Sequence, residues 1–164
     1  MLDLTDVSLV LFDFDDTLCL HTRRPQSKEL PNERYSEDIF AGRNPWQDGV
    51  APEVMKSFVR YCDKLGITMG LMSGTSSYLR AQKKVEWVKD FYGVTMENYC
   101  VNGQEFKLVM MQDLCRHFEC EPMQILLVDD IFDNLERASE AGFYACSPME
   151  VVYFMEQIGK CTCE

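Results

Sequence analysis

Two acidic constellations stand at the ends of apolar runs. In Leu11-Phe12-Asp13-Phe14-Asp15-Asp16-Thr17-Leu18 the run closes on aspartates at i and i+2. If it is a strand, its period of two sends Asp13 and Asp15 to one side of the tip and Phe14 to the other. In Ile125-Leu126-Leu127-Val128-Asp129-Asp130 a second run delivers two acids, and Asn134 lies four residues beyond Asp130, on the same face of a following helix. Each has a plainer reading, since Asp and Thr suit turns and an Asp ahead of a helix caps it. A cap needs one Asp, however, and leaves its neighbour unexplained. If the two runs are neighbouring strands, four carboxylates surround one crevice. Like charges that close keep a proton or gather around a cation. An oxygen-only set with positions left open for water and phosphate suits Mg²⁺.

Two other residues stand where strands should end. Ser73 follows Ile67–Met72 and begins Ser73-Gly74-Thr75-Ser76-Ser77, whose hydroxyls could meet phosphate oxygens beside the free amides of a helix start. An ordinary Ser N-cap is the plainer account. Lys107 opens a helix after Asn102-Gly103-Gln104-Glu105-Phe106. The macrodipole disfavours a cation there, so the placement hints at a task.

The elements that position these residues alternate along the chain. Strands are predicted at Ser8–Phe14, Ile67–Met72, Asn98–Val101, Ile125–Val128 and Phe143–Cys146. Between them apolar residues recur at helical spacing: Val54, Phe58, Cys62 and Leu65; Tyr78, Ala81, Val85, Val88 and Tyr92; Leu108, Met111, Cys115 and Phe118; Ile131, Leu135, Ala138 and Ala141. A last helix opens with Ser147, Pro148 and Glu150, a capping-box pattern. Such alternation predicts an α/β fold, a Rossmann-like three-layer α/β/α sandwich around a parallel sheet of about five strands. Ligands bind at the carboxyl ends of such strands. Residues 18–49 break the rhythm with prolines, the basic residues Arg23, Arg24, Lys28, Arg34 and Arg43, and the aromatics Tyr35, Phe40 and Trp46. This stretch is expected to be an irregular flap.

The chain has 164 residues, 46% of them hydrophobic and 26% charged, which is enough for one full core, and residues 1–164 are expected to form a single domain. Lys and Arg number 16 against 27 Asp and Glu, a formal charge of −11. Such a body repels phosphate backbones and anionic lipid, so neither nucleic acid nor a membrane is the expected partner. Met1–Asp6 carries two aspartates and no basic residue, unlike a signal peptide. Several of the eight cysteines sit inside apolar periodic segments, as reduced thiols do. The expectation is a reduced, cytoplasmic protein.

Asp13-Phe14-Asp15-Asp16-Thr17, then Ser73, then Lys107, then Asp129-Asp130 with Asn134 together resemble the four-motif set of the haloacid dehalogenase superfamily of phosphohydrolases. The Asp129-Asp130-x-x-x-Asn134 ending is most similar to its small magnesium-dependent phosphatase branch. The resemblance covers the chain in the right order. It implies that Asp13 is the nucleophile that takes the phosphoryl group, and that Asp15 protonates the leaving oxygen and then activates water. It also implies that Thr17, Ser73, Gly74 and Lys107 hold the phosphoryl oxygens. Mg²⁺ would be bound by Asp13, Asp15 (through its backbone carbonyl) and Asp130, with Asp129 close by. An acid at position 15 marks phosphatases of this superfamily, in contrast to its dehalogenases.

Neither gap between motifs has room for a separate cap, so the resemblance implies an open site for a phosphorylated small molecule or phosphoprotein. His21, Arg23, Arg24 and Trp46 of the flap are candidates to touch the leaving group. A phospho-receiver domain is the non-enzymatic rival, but its acceptor aspartate should follow a middle strand, where Ser73 stands. A phosphate-binding relative without turnover would be expected to have lost carboxylates that are present here. A nucleic-acid end phosphatase is permitted by the basic flap and opposed by the net charge. Cys19 and His21, with Cys161 and Cys163, are zinc-ligand types. They lie at opposite ends of the chain and are expected at opposite rims of the sheet, so a frayed tail is the preferred reading.

Overall fold

The computed structural model describes residues 3–21 and 37–161. Five parallel strands, β1 (Leu9–Phe12), β2 (Thr68–Leu71), β3 (Glu97–Asn98), β4 (Ile125–Val128) and β5 (Tyr144–Cys146), form one sheet in the order β3-β2-β1-β4-β5. Between and after them run α1 (Glu53–Lys64), α2 (Tyr78–Tyr92), α3 (Lys107–Phe118), α4 (Phe132–Glu140) and α5 (Pro148–Cys161).

β1 and β4 are buried on both faces, as continuous apolar runs in a parallel sheet must be. Their side chains alternate between two cores. Val10, Phe12, Leu126 and Val128 pack with Phe58, Cys62, Trp87, Val88 and Val151 of α1, α2 and α5. Leu9, Leu11, Ile125 and Leu127 pack with Met111, Leu114 and Ala138 of α3 and α4. The three-layer sandwich follows from that alternation. Ser147 caps α5 as its sequence predicts, its hydroxyl donating to the Glu150 carboxylate and accepting from the Glu150 amide.

Register is what positions the site. Phe12 lies level with Leu71 on one side and Val128 on the other, so Asp13 and Asp129 emerge side by side. The Asp13 amide donates to the Val128 carbonyl at 2.8 Å. β1 ends two residues before its predicted boundary because the chain turns back on itself. The Phe14 carbonyl accepts from the amides of Leu18 and Cys19, and Asp16 takes a left-handed φ of 59°. The Tyr92 hydroxyl fastens this loop by donating to the Leu18 carbonyl at 2.6 Å. β3 is shorter than predicted and lies one residue earlier, on an exposed edge. Past it, Val101 only bridges to Gly74.

Of the expected flap, Leu20 pairs with Val50, residues 37–40 form a helical turn, and the Asn44 side chain donates to the Lys83 carbonyl of α2. Trp46 is buried edge-on against Phe14. Arg23, Arg24, Lys28, Arg34 and Tyr35 lie outside the described residues, as does Cys163. Among the described residues no helix is long and apolar enough to cross a membrane.

Candidate active site

In the order β3-β2-β1-β4-β5 the chain changes direction across the sheet at β1 and β4, and the carboxyl ends of these strands form the crevice where such sheets bind ligands. Oxygens of Asp13, Asp129 and Asp130 lie within 4.8 Å of one another there. Asp13 and Asp129 are buried and Asp130 is exposed. Lys107, only 2% exposed, reaches between them, its Nζ 2.7 Å from Asp13 Oδ1 and 2.6 Å from Asp129 Oδ2. Gly103 makes this possible. Its φ of 115° is open to glycine, and it turns the chain from the sheet edge into α3 so that the helix starts with Lys107 under the strand tips.

Asp129 is held on every side. Its Oδ1 accepts from the Ile131 amide at 2.9 Å and from Asn134 Nδ2 at 3.1 Å. It thus braces the turn ahead of α4, whose start carries no side-chain cap, and faces Lys107 as well. Burial raises the Asp13 pKa to about 7, with the Asp129 charge adding to the effect and Lys107 opposing it. Burial opposes the charge on Lys107, and the two carboxylates more than reverse that, holding its ammonium above the ordinary value.

The Asp15 carboxylate stands apart from this trio, which corrects the expectation of four carboxylates around one crevice. Because the chain leaves the strand geometry at Phe14, period two no longer governs where Asp15 points. Its Oδ2 accepts from Lys84 Nζ at 2.6 Å and its Oδ1 meets His21 Nε2 at 2.8 Å. Burial raises its pKa, but the His21 hydrogen bond and the Lys84 charge more than reverse this and hold it well below the usual carboxylate range. Lys84 Nζ also lies 2.7 Å from Ser73 Oγ and over the faces of Phe14 and Trp46. Ser73 is no helix cap, since Ser77 takes that place on α2. Gly74 runs close beside the Gln104 side chain. Thr17 is buried, and its hydroxyl finds no hydrogen-bond partner among the described residues.

Sequence reasoning passed over Lys84. Its signal was available: on α2, Ala81, Lys84 and Val88 follow one another at spacings of three and four, which puts a lysine on the buried stripe. His21 was expected at the leaving group or in a zinc set, and it bonds Asp15. Cys19 is a buried free thiol whose pKa burial pushes up to about 12.

A carboxylate trio of hard oxygen donors fits Mg²⁺ on dimensions, since opposite ligands of an octahedral ion at ~2.1 Å stand about 4.2 Å apart. It fits on charge as well. Lys107 supplies one positive charge against three negative ones, and two unit charges 4 Å apart repel by about 4 kcal/mol at an effective dielectric constant of 20.

No family model matches the sequence, and no curated protein matches it. Solved structures do resemble it. A HAD family enzyme of Bacteroides thetaiotaomicron, solved with magnesium and inorganic phosphate, superposes with a TM-score of 0.52 at 12% identity over 86% of this chain and 93% of its own. A cobalt-bound deoxy-D-mannose-octulosonate 8-phosphate phosphatase of Haemophilus influenzae gives 0.53 at 13% identity over 88% and 70%. A hypothetical protein of Xanthomonas campestris gives 0.52 at 18% identity over 87% of this chain, which spans only 64% of that protein's length. The fold is that of the HAD-type enzymes.

Proposed function

We propose that this chain is a divalent-cation-dependent phosphatase of the haloacid dehalogenase superfamily, acting on phosphomonoesters through an aspartyl phosphate on Asp13. The observation that carries the reading is the meeting of Asp13, Asp129 and Asp130 around Lys107 at adjacent strand tips. Asp13, Asp130 and the Asp15 carbonyl would hold Mg²⁺, which when bound neutralises charge on the phosphoryl oxygens. Thr17, Ser73, the Gly74 backbone and Lys107 would take those oxygens. The unpartnered Thr17 hydroxyl supports this, because leaving it buried and unbonded costs about 1–3 kcal/mol that a phosphoryl oxygen would recover.

An Asp13 oxygen attacks phosphorus as the bond to the leaving oxygen breaks, and the hydrogen-bonded Asp15–His21 pair supplies the proton to that oxygen. The pair, having given up that proton, then takes one from water through Asp15 as the water attacks the phosphorus of the acyl phosphate and frees Asp13. Lys84 and His21 keep Asp15 in the ionised form that the second half requires. Positioning and charge supply most of the acceleration in phosphoryl transfer.

The phospho-receiver reading loses on topology. Receiver sheets run in the order 2-1-3-4-5, and this sheet runs 3-2-1-4-5. The test is hydrolysis of p-nitrophenyl phosphate with Mg²⁺. EDTA is expected to silence it and added Mg²⁺ to restore it, and turnover that persists in EDTA or in Asp13→Asn overturns the mechanism.

A further inference from the structure

Lys84 is a cation in a costly place. It stands in the middle of α2 yet is only 3% exposed, and an ammonium taken out of water is unfavourable unless it is paired and hydrogen-bonded. Its partners come from three separate stretches of the chain. Nζ lies 2.6 Å from Asp15 Oδ2 and 2.7 Å from Ser73 Oγ, and it sits over the rings of Phe14 and Trp46 at 5.0 and 5.4 Å. An ammonium can only donate, so Ser73 Oγ accepts from it and the Ser73 O–H is left to point elsewhere. His21 meets the other Asp15 oxygen from a loop, whereas Lys84 comes from a packed helix. Lys84 is the stiffer of the two anchors.

The alternative place for the Asp15 carboxylate is the carboxylate trio. Under the phosphatase reading the Asp15 backbone carbonyl holds the cation, so the carboxylate of the same residue is within one side chain's length of that ion. Asp13, Asp129 and Asp130 bring three negative charges against the one positive charge of Lys107, and a hard cation gathers carboxylate oxygens. A carboxylate bound to the metal could no longer pass a proton to the leaving oxygen or take one from water. In the structure it lies elsewhere. Asp15 and Lys84 line a cleft of about 380 Å³ beside α2, and none of the trio does. The Lys84 ammonium also offsets the Asp15 charge as a cation at the trio would feel it.

Resting on the phosphatase reading, we propose that Lys84 is a positioning residue that withholds the acid–base carboxylate of Asp15 from the divalent cation, so that the trio serves the metal and Asp15 serves the substrate. The test is calorimetric titration of Mg²⁺ into the full chain at pH 8, above the Asp13 pKa of about 7. Beside it, kcat is measured on p-nitrophenyl phosphate and on glycerol 2-phosphate at saturating Mg²⁺. Lys84→Met is expected to bind Mg²⁺ about tenfold more tightly, because an uncompensated Asp15 charge joins the trio. Its kcat is expected to fall by about 10²-fold on glycerol 2-phosphate and by less on the aryl ester. Lys84→Arg, which keeps the charge, should return both quantities toward wild type, and Lys84→Met/Asp15→Asn should lose the gain in affinity. Removing a residue that only braced the fold would weaken metal binding and turnover together, so the opposite signs are the signature. Should Lys84→Met fail to fold, Lys84→Gln takes its place with the same signs expected. Mg²⁺ affinity unchanged or weakened in the folded variant, or tighter binding with kcat unchanged, overturns the role of Lys84, and wild-type turnover then leaves the phosphatase intact. A gain in affinity that disappears with Asp15→Asn, in a chain that hydrolyses neither ester, upholds the withholding of Asp15 and removes the phosphatase.

Discussion

Asp13 and Asp15 stand two residues apart on one strand exit, and the protein treats them oppositely. Asp13 is sealed in beside Asp129, and burial lifts its pKa to about 7 although Lys107 touches it. The Asp15 side chain keeps 42% of its exposure, and with His21 on one oxygen and Lys84 on the other it is held ionised far into acid. Each carboxylate has a buried lysine at hydrogen-bond distance, so proximity to a cation does not explain the difference. The balance does. Lys107 is divided between two buried acids with a third nearby, whereas Lys84 serves one acid and a neutral hydroxyl. A crowd of acids short of positive charge is built to receive a cation, and a satisfied carboxylate is built to exchange protons with water and leaving groups.

The largest expected effect comes from exchanging the two acids in turn. Asp13→Asn should lose activity by about 10⁴–10⁶-fold, as loss of a nucleophile does. Asp15→Asn should lose about 10²–10⁴-fold, less for p-nitrophenyl phosphate, whose leaving oxygen needs little protonation. Steady-state rates on aryl and alkyl esters check both, and equal losses on the two esters would deny Asp15 the acid role.

Lys107→Met leaves two buried carboxylates without their cation and should cost the metal-free protein about 3–5 kcal/mol. Lys84→Met should cost clearly less, because the half-exposed Asp15 can turn to water. Urea melts without Mg²⁺ rank the two, and a reversed order would break the contrast between a starved and a satisfied pair.

The pH dependence separates the acids again. Folded Asp13 binds its proton more tightly than the unfolded chain does, so its contribution is full below about 4 and is lost as pH rises through about 7. Asp15 runs the other way, contributing above the ordinary carboxylate pKa and losing that contribution as pH falls. Mg²⁺ must displace the Asp13 proton below neutrality, so its affinity should weaken by about tenfold per pH unit below 7. Calorimetric titration of Mg²⁺ at pH 6 and pH 8 measures this, and equal affinities would show that Asp13 is already ionised at pH 6.

Gly49→Ala is the smallest change. A Cβ there collides with Cys19 Sγ and crowds the Trp46 carbonyl, so about 1–3 kcal/mol of overpacking is expected, read as a lower Tm.

Much of this was legible in the residues. Apolar runs ending in acids and helices at regular spacing between them announced the sheet and the acids at two strand tips, and a lysine at an unfavourable helix start marked Lys107 without saying what it touches. These are local patterns with local causes: strand period, helix period and dipole. Asp15 was misplaced because the Asp16 turn bends the chain out of strand geometry one residue after the pattern was extrapolated. Lys84 was overlooked because a lysine in a helix is usually solvated, and its burial depends on Phe14 and Trp46, which are distant in the chain.

The sequence by itself determined the alternation of elements, the order of the polar residues along them and the types of side chain available at each strand tip, since periodicity and composition need no distant partner. Only the tertiary structure decided that β1 and β4 are neighbours in a register that sets Asp13 beside Asp129, and that Lys84 closes on Asp15 from 69 residues away. Which charges share a dielectric, and therefore which proton is held and which is lost, depends on distances through space that no spacing along a chain contains.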